Sequence, residues 1–185
     1  MFDNFREDLK TYEGNWASPG LWVMAVYRFG RWRYGIRVPL IRKIFSFGYK
    51  VMFAFVQAAT GTELPCEAKV GRRLRIDHSQ GIVISGDACL GDDVILRNGV
   101  TIGLRRAGVR GSPVIGDRAD IGAGAKILGT IVLGNDVSVG ANAVVLTDVP
   151  SNSVAVGIPA RISPKKEDSA KGSLAKEWMS MEQIF

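Results

Sequence analysis

A single histidine, His78, stands in the 185-residue chain, within Arg75-Ile76-Asp77-His78-Ser79-Gln80-Gly81. A free imidazole titrates near pH ~6.5, so it can take or give a proton under physiological conditions. Asp77 sets a carboxylate beside it. Such residues suit proton abstraction from a weak nucleophile, for example an alcohol. Other chemistries lack their parts. One histidine and two separated cysteines, Cys66 and Cys89, have no zinc spacing and imply no disulfide framework. No metal is expected. There is no Walker A pattern and no nucleophile elbow. Gly122-Ala123-Gly124-Ala125-Lys126-Ile127-Leu128-Gly129 misplaces the third glycine of a dinucleotide motif.

What must position His78 is a ladder of aliphatic residues six apart. Val70, Ile76 and Ile82 begin it. The frame slips by two, and Ile84, Leu90, Leu96 and Ile102 follow. After an irregular stretch come Ile115, Ile121, Ile127, Leu133, Val139 and Val145. A second register of small or branched residues accompanies it: Ala88, Val94 and Val100, then Ala119, Ala125, Ile131, Val137 and Ala143. A period of six is neither helical nor that of an ordinary strand. It marks hexapeptide β-helix repeats, in which a short strand and a turn form each unit. Three units close a triangular coil, and each coil buries its inner face only against its neighbours. Residues 104–112 break the frame. They are expected to form a loop extruded from a prism edge, with Arg105, Arg106 and Arg110 on it.

Residues 1–60 read as a helical region. Asp3 or Asn4 can cap a first helix ending near Gly14. Ser18-Pro19 looks like a second start. A third helix is expected from about Pro39 to Ala59, interrupted too often to span a bilayer and therefore buried or interfacial. Residues 61–162 are the β-helix. Residues 163–185 are a polar linker and a short tail helix with Leu174, Trp178, Met181 and Phe185 on one face.

Apolar residues make up 46% and charged residues 23%, an ordinary globular composition. The N-terminus is too polar for a secretory signal, and unpaired cysteines suit a cytoplasmic location. The formal net charge is +6, and seven basic residues with no acidic one occupy positions 28–50. That run reads as a solvated face or oligomer contact, or as attraction to a membrane surface or a phosphorylated substrate. No nucleic-acid partner is expected.

Taken together these segments resemble the hexapeptide-repeat acyltransferases of the serine O-acetyltransferase family. Ala25-Val26-Tyr27-Arg28-Phe29-Gly30-Arg31-Trp32 is similar to that family's Tyr-Arg-x-Gly-x-Trp helix. Ile76-Asp77-His78-Ser79-Gln80-Gly81-Ile82-Val83-Ile84 is similar to its catalytic segment, and Gly157-Ile158-Pro159-Ala160-Arg161 to its closing coil. The resemblance implies a left-handed parallel β-helix, acetyl-CoA as acyl donor and a homotrimer, with a dimer of trimers in many members. It assigns His78 as general base and Glu63 as the carboxylate that orients it. Asp77, Asn98, Arg105, Arg110 and Ser112 are its acceptor-binding candidates. Gly103, Gly122, Ala123, Ala141, Asn142 and Arg161 are those for coenzyme A.

Serine-specific members carry an Arg-His pair just before the proline that closes the loop. Here Gly111-Ser112 precede Pro113. Together with the Thr60-Gly61-Thr62-Glu63 start, this resembles members of cell-surface polysaccharide pathways. The expected acceptor is accordingly a sugar hydroxyl, with serine as the alternative and a non-catalytic scaffold as a second one.

Overall fold

A computed structural model describes residues 2–106, 108 and 111–165. The expected tail helix and Arg110 lie outside the described residues. Three helices, α1 (Phe2–Thr11), α2 (Pro19–Arg33) and α3 (Pro39–Thr60), precede a left-handed parallel β-helix. Its strands are dealt in turn to three faces. The first face holds β1 (Lys69–Val70), β4 (Cys89–Leu90), β7 (Val114–Ile115) and β10 (Val132–Leu133). The second holds β2 (Arg75–Asp77), β5 (Ile95–Arg97), β8 (Asp120–Ile121), β11 (Ser138–Val139) and β13 (Ser153–Val156), with β14 (Arg161–Pro164) closing it antiparallel. The third holds β3 (Val83–Ile84), β6 (Thr101–Gly103), β9 (Lys126–Leu128) and β12 (Val144–Val145).

Both predicted registers point inward. The aliphatic ladder from Ile76 to Val145 is buried, and so is the companion register from Ala88 to Ala143. Strands of two to four residues have little stability of their own. They persist because each inward side chain rests on the one a coil below, and a buried Ile or Leu contributes about 1.5–3 kcal/mol. The irregular stretch is indeed an insertion between β6 and β7, with Leu104, Arg105, Arg106 and Gly108 exposed.

An open coil would present unpaired backbone groups. The helices cover them at the first coil. The Tyr27 hydroxyl donates to the Ala68 carbonyl at 2.8 Å and accepts from Val70 N–H at 3.0 Å. The Tyr12 hydroxyl accepts from Ile76 N–H at 2.9 Å, and the Tyr49 hydroxyl from Cys66 N–H at 3.1 Å. Arg28 completes the seam. Its Nη2 donates to the Gly71 carbonyl at 2.7 Å, and its Nε and Nη2 meet both Asp8 oxygens at 2.9 and 3.2 Å. That ion pair is buried on both sides and ties α1, α2 and the prism together. Of α3, only Tyr49 is buried, so the helix is interfacial rather than interior.

The edge between the first and second faces carries alternating charges in successive coils. Arg73 Nε meets Asp93 at 2.6 Å, and Arg118 Nη2 meets Asp136 at 2.7 Å. These guanidinium hydrogen bonds hold both carboxyls below their ordinary 3.8.

Two outcomes follow. Asp8→Ala leaves Arg28 buried without its counter-ion and lowers unfolding stability by about 3–5 kcal/mol, read from the denaturant midpoint. A carboxyl depressed in the folded state stabilises above its unfolded pKa, and that contribution disappears as pH falls through the folded value. Thermal stability therefore declines below about pH 4, and less steeply in Asp93→Asn/Asp136→Asn, as followed by circular dichroism.

Candidate active site

The frame slip seen in the sequence is a widened corner. Before it, strands pair with a spacing of twenty, Ile76 facing Leu96. After it the spacing is eighteen, Ile84 facing Ile102. The two extra residues lie between β2 and β3, in the turn that carries His78. His78 takes a left-handed backbone (φ +56°), which most side chains avoid, and its carbonyl accepts the Gln80 N–H at 2.7 Å. Gly81 (φ +68°) then returns the chain to the third face. The result is an imidazole standing outside the prism wall, exposed.

It stands on the wall of a cleft of about 690 Å³ between β2 and the α1–α2 connection. Tyr12, Asn15, Arg75, Asp77 and His78 line it. Asp77 accepts a hydrogen bond from Arg75 Nε at 2.8 Å. Residues two apart on a strand share a face, so these opposite charges open on the same space. Burial pushes the Tyr12 hydroxyl well above its ordinary value, and it donates to the Leu74 carbonyl at 3.4 Å. Sequence reasoning missed Arg75 and Tyr12 as site residues. Arg75 had a signal, its i, i+2 relation to Asp77. Tyr12 had none, since its place depends on how α1 docks.

Glu63 lies one coil before this corner. Its N–H donates to the Ile82 carbonyl at 2.7 Å and its carbonyl accepts from Ile84 N–H at 2.9 Å. The neighbouring Thr62 hydroxyl bonds the Ser79 carbonyl. The backbone around Glu63 is thus pinned against the His78 turn, but no hydrogen bond joins its carboxylate to the imidazole.

Five of the coenzyme and acceptor candidates, Asn98, Gly122, Ala123, Ala141 and Asn142, share the edge of His78. Asn98, Ala123 and Ala141 repeat at the corner between the second and third faces, stacked through Gly124 N–H to Asn98 O and Asn142 N–H to Ala123 O, both 2.8 Å. The small side chains of Ala123 and Ala141 leave backbone accessible to an extended ligand. Gly122 has a different explanation. A Cβ there would sit 2.6 Å from Ala141 N and 2.7 Å from the Val139 carbonyl, so stacking alone requires glycine. Arg161 is exposed on β14, where the closing segment crosses the last coil.

The remaining candidates lie across the third face, on the opposite edge. Gly103 packs on Ser85, whose Oγ accepts from Ser112 Oγ at 2.9 Å. Arg105 lies over Gly129, where an added Cβ would come to 3.5 Å from the Arg105 Cβ. Gly111 (φ +122°) sits where any side chain would strike Thr130. A single chain therefore does not bring Gly103, Arg105 and Ser112 to His78.

Known proteins resemble this geometry and sequence. The chain is 39% identical over 148 residues to a serine acetyltransferase of Helicobacter pylori, covering 80% of this chain and 82% of the relative. The structure of serine acetyltransferase from Brucella abortus superposes with a TM-score of 0.74 at 30% identity, over 88% of this chain and 68% of that one. A serine acetyltransferase in complex with CoA superposes with a TM-score of 0.72 at 27% identity, over 87% and 68%. No protein-family model matches the chain.

The packing at Gly122 makes a direct test. Gly122→Ala forces the next coil aside and lowers stability by about 1–3 kcal/mol, whereas Ala123→Ser at the neighbouring corner leaves the denaturant midpoint near that of the wild type.

Proposed function

Because the chain belongs to the serine acetyltransferase family, we propose that it moves the acetyl group of acetyl-CoA to the hydroxyl of serine, with His78 as the general base. The likeness to the Helicobacter pylori enzyme over about four-fifths of both chains carries this reading. It corrects the sugar acceptor expected from the sequence, which leaned on Gly111-Ser112 in place of an Arg-His pair. Those residues answer to packing: Gly111 to Thr130, and Ser112 to Ser85. Packing accounts for both residues whichever acceptor is bound.

The cleft suits an amino acid on its own terms. Serine is a zwitterion, and binding it calls for a carboxylate near its ammonium and a cation near its carboxylate. Asp77 and Arg75 supply the two charges beside His78. His78 takes the hydroxyl proton as the serine oxygen bonds to the thioester carbonyl carbon. The C–S bond then breaks, and the departing thiolate receives that proton from the imidazolium. Backbone N–H groups near the corner are the candidate donors to the oxyanion. Glu63, pinned beside the turn, is the carboxylate available to orient the imidazole. The strip of Ala123 and Ala141 takes the pantetheine arm, with Asn142 beside it and Arg161 toward the phosphates.

The reading includes a trimer. Gly103, Arg105 and Ser112 lie across a face from His78 within one chain, and a second prism set against that face would bring them to it.

Thiol release from acetyl-CoA, followed with and without L-serine, tests the assignment. His78→Ala lowers kcat by about 10²–10⁴-fold, with the fold intact by circular dichroism. Arg75→Ala raises KM for serine at least about 10-fold while changing kcat less. Serine-stimulated release that survives His78→Ala would remove the mechanism.

A further inference from the structure

Helix α3 has two unlike faces. Phe45, Tyr49, Phe53 and Val56 pack inward, Phe45 against the rings of Phe29 and Trp32. The opposite face carries Leu40, Ile44, Phe47, Val51 and Phe55 at steps of three and four. All five are uncovered within the single chain, with Leu40 70%, Phe47 72% and Phe55 74% exposed. The 22-residue helix extends this stripe over about 33 Å. Toward α2 the apolar surface continues into a groove of about 610 Å³ lined by Trp22, Met52 and Phe55. Contiguous exposed apolar surface of this size marks an interaction site.

Charge indicates what covers it. Residues 14–62 contain seven Arg and Lys and no Asp or Glu. Lys43 and Lys50, one heptad apart, are exposed beside the stripe, and Arg37 and Arg42 are exposed near its start. Two copies meeting through this face would place Lys43 and Lys50 of one beside those of the other, and α3 itself carries no Asp or Glu to compensate. An anionic surface meets both features at once. No helix among the described residues is long and apolar enough to cross a membrane, so the contact is one of lying on the surface.

We propose that α3 docks flat on an anionic phospholipid bilayer. Phe47, Phe55 and their neighbours enter the boundary between headgroups and acyl chains, and the lysine stems run along it to the lipid phosphates. This inference is independent of the acceptor assigned to the cleft.

The test is sedimentation of the full chain with vesicles of phosphatidylcholine, with or without phosphatidylglycerol. The chain is expected to pellet with the anionic vesicles, less with the neutral ones, and less as salt is added. Phe47→Ser/Phe55→Ser and, separately, Lys43→Glu/Lys50→Glu each weaken that binding by at least about 10-fold. Both keep thiol release with soluble substrates, which shows that they fold. Wild-type chain that stays in the supernatant with both kinds of vesicle would overturn the proposal. So would variants that bind as wild type does. A drop in oligomer mass by light scattering in the phenylalanine variant would also overturn it, by assigning the stripe to contact between copies of this chain.

Discussion

The stacking of inward side chains from coil to coil is the constraint on which the rest depends. Strands as short as Val83–Ile84 or Ser138–Val139 hold their place only because Ile84 rests on Ile102, and Val139 on Ile121. A one-residue error would turn the aliphatic ladder outward. Changes in chain length are therefore tolerated only at corners. Both irregularities of this chain fall there, and both add surface outside the prism wall. Two extra residues at one edge lift His78 clear of the wall. The insertion at residues 104–113 extends a second edge.

The ends of the stack impose a second requirement. The last coil is closed by β14, which pairs back on β13. The first is closed by hydroxyls and a guanidinium from the helices. Tyr12, Tyr27 and Arg28 satisfy backbone groups of the coil that leads into His78. The same docking brings the α1–α2 connection over Asp77 and makes a cleft of what would be a bare edge. Structural closure and the cleft beside His78 thus share their parts, and the buried Asp8–Arg28 pair holds both.

Much of this was legible in the sequence because a six-residue period has few physical explanations. The ladder, its companion register, the extruded loop and the starts of α2 and α3 at Pro19 and Pro39 all come from local pattern. The slip between Ile82 and Ile84 was visible too, but as a break in phase; its meaning as a widened corner needs the pairing of Ile76 with Leu96. Other features were hidden because they depend on distant contacts. Gly111 and Ser112 read as a statement about the acceptor, while the clash any side chain at 111 would have with Thr130, and the bond of Ser112 to Ser85, give them a packing role. The apolar run of α3 suggested burial as readily as exposure, since composition does not say which face a helix turns inward.

The central claim is that the charged cleft around His78 delivers the hydroxyl of serine to a thioester. Its most direct test is the product balance when the full chain is incubated with acetyl-CoA and L-serine. The account predicts O-acetylserine and free CoA in equal amounts, at a rate that saturates with serine. CoA released without acetylated serine, or at a rate indifferent to serine, would contradict it.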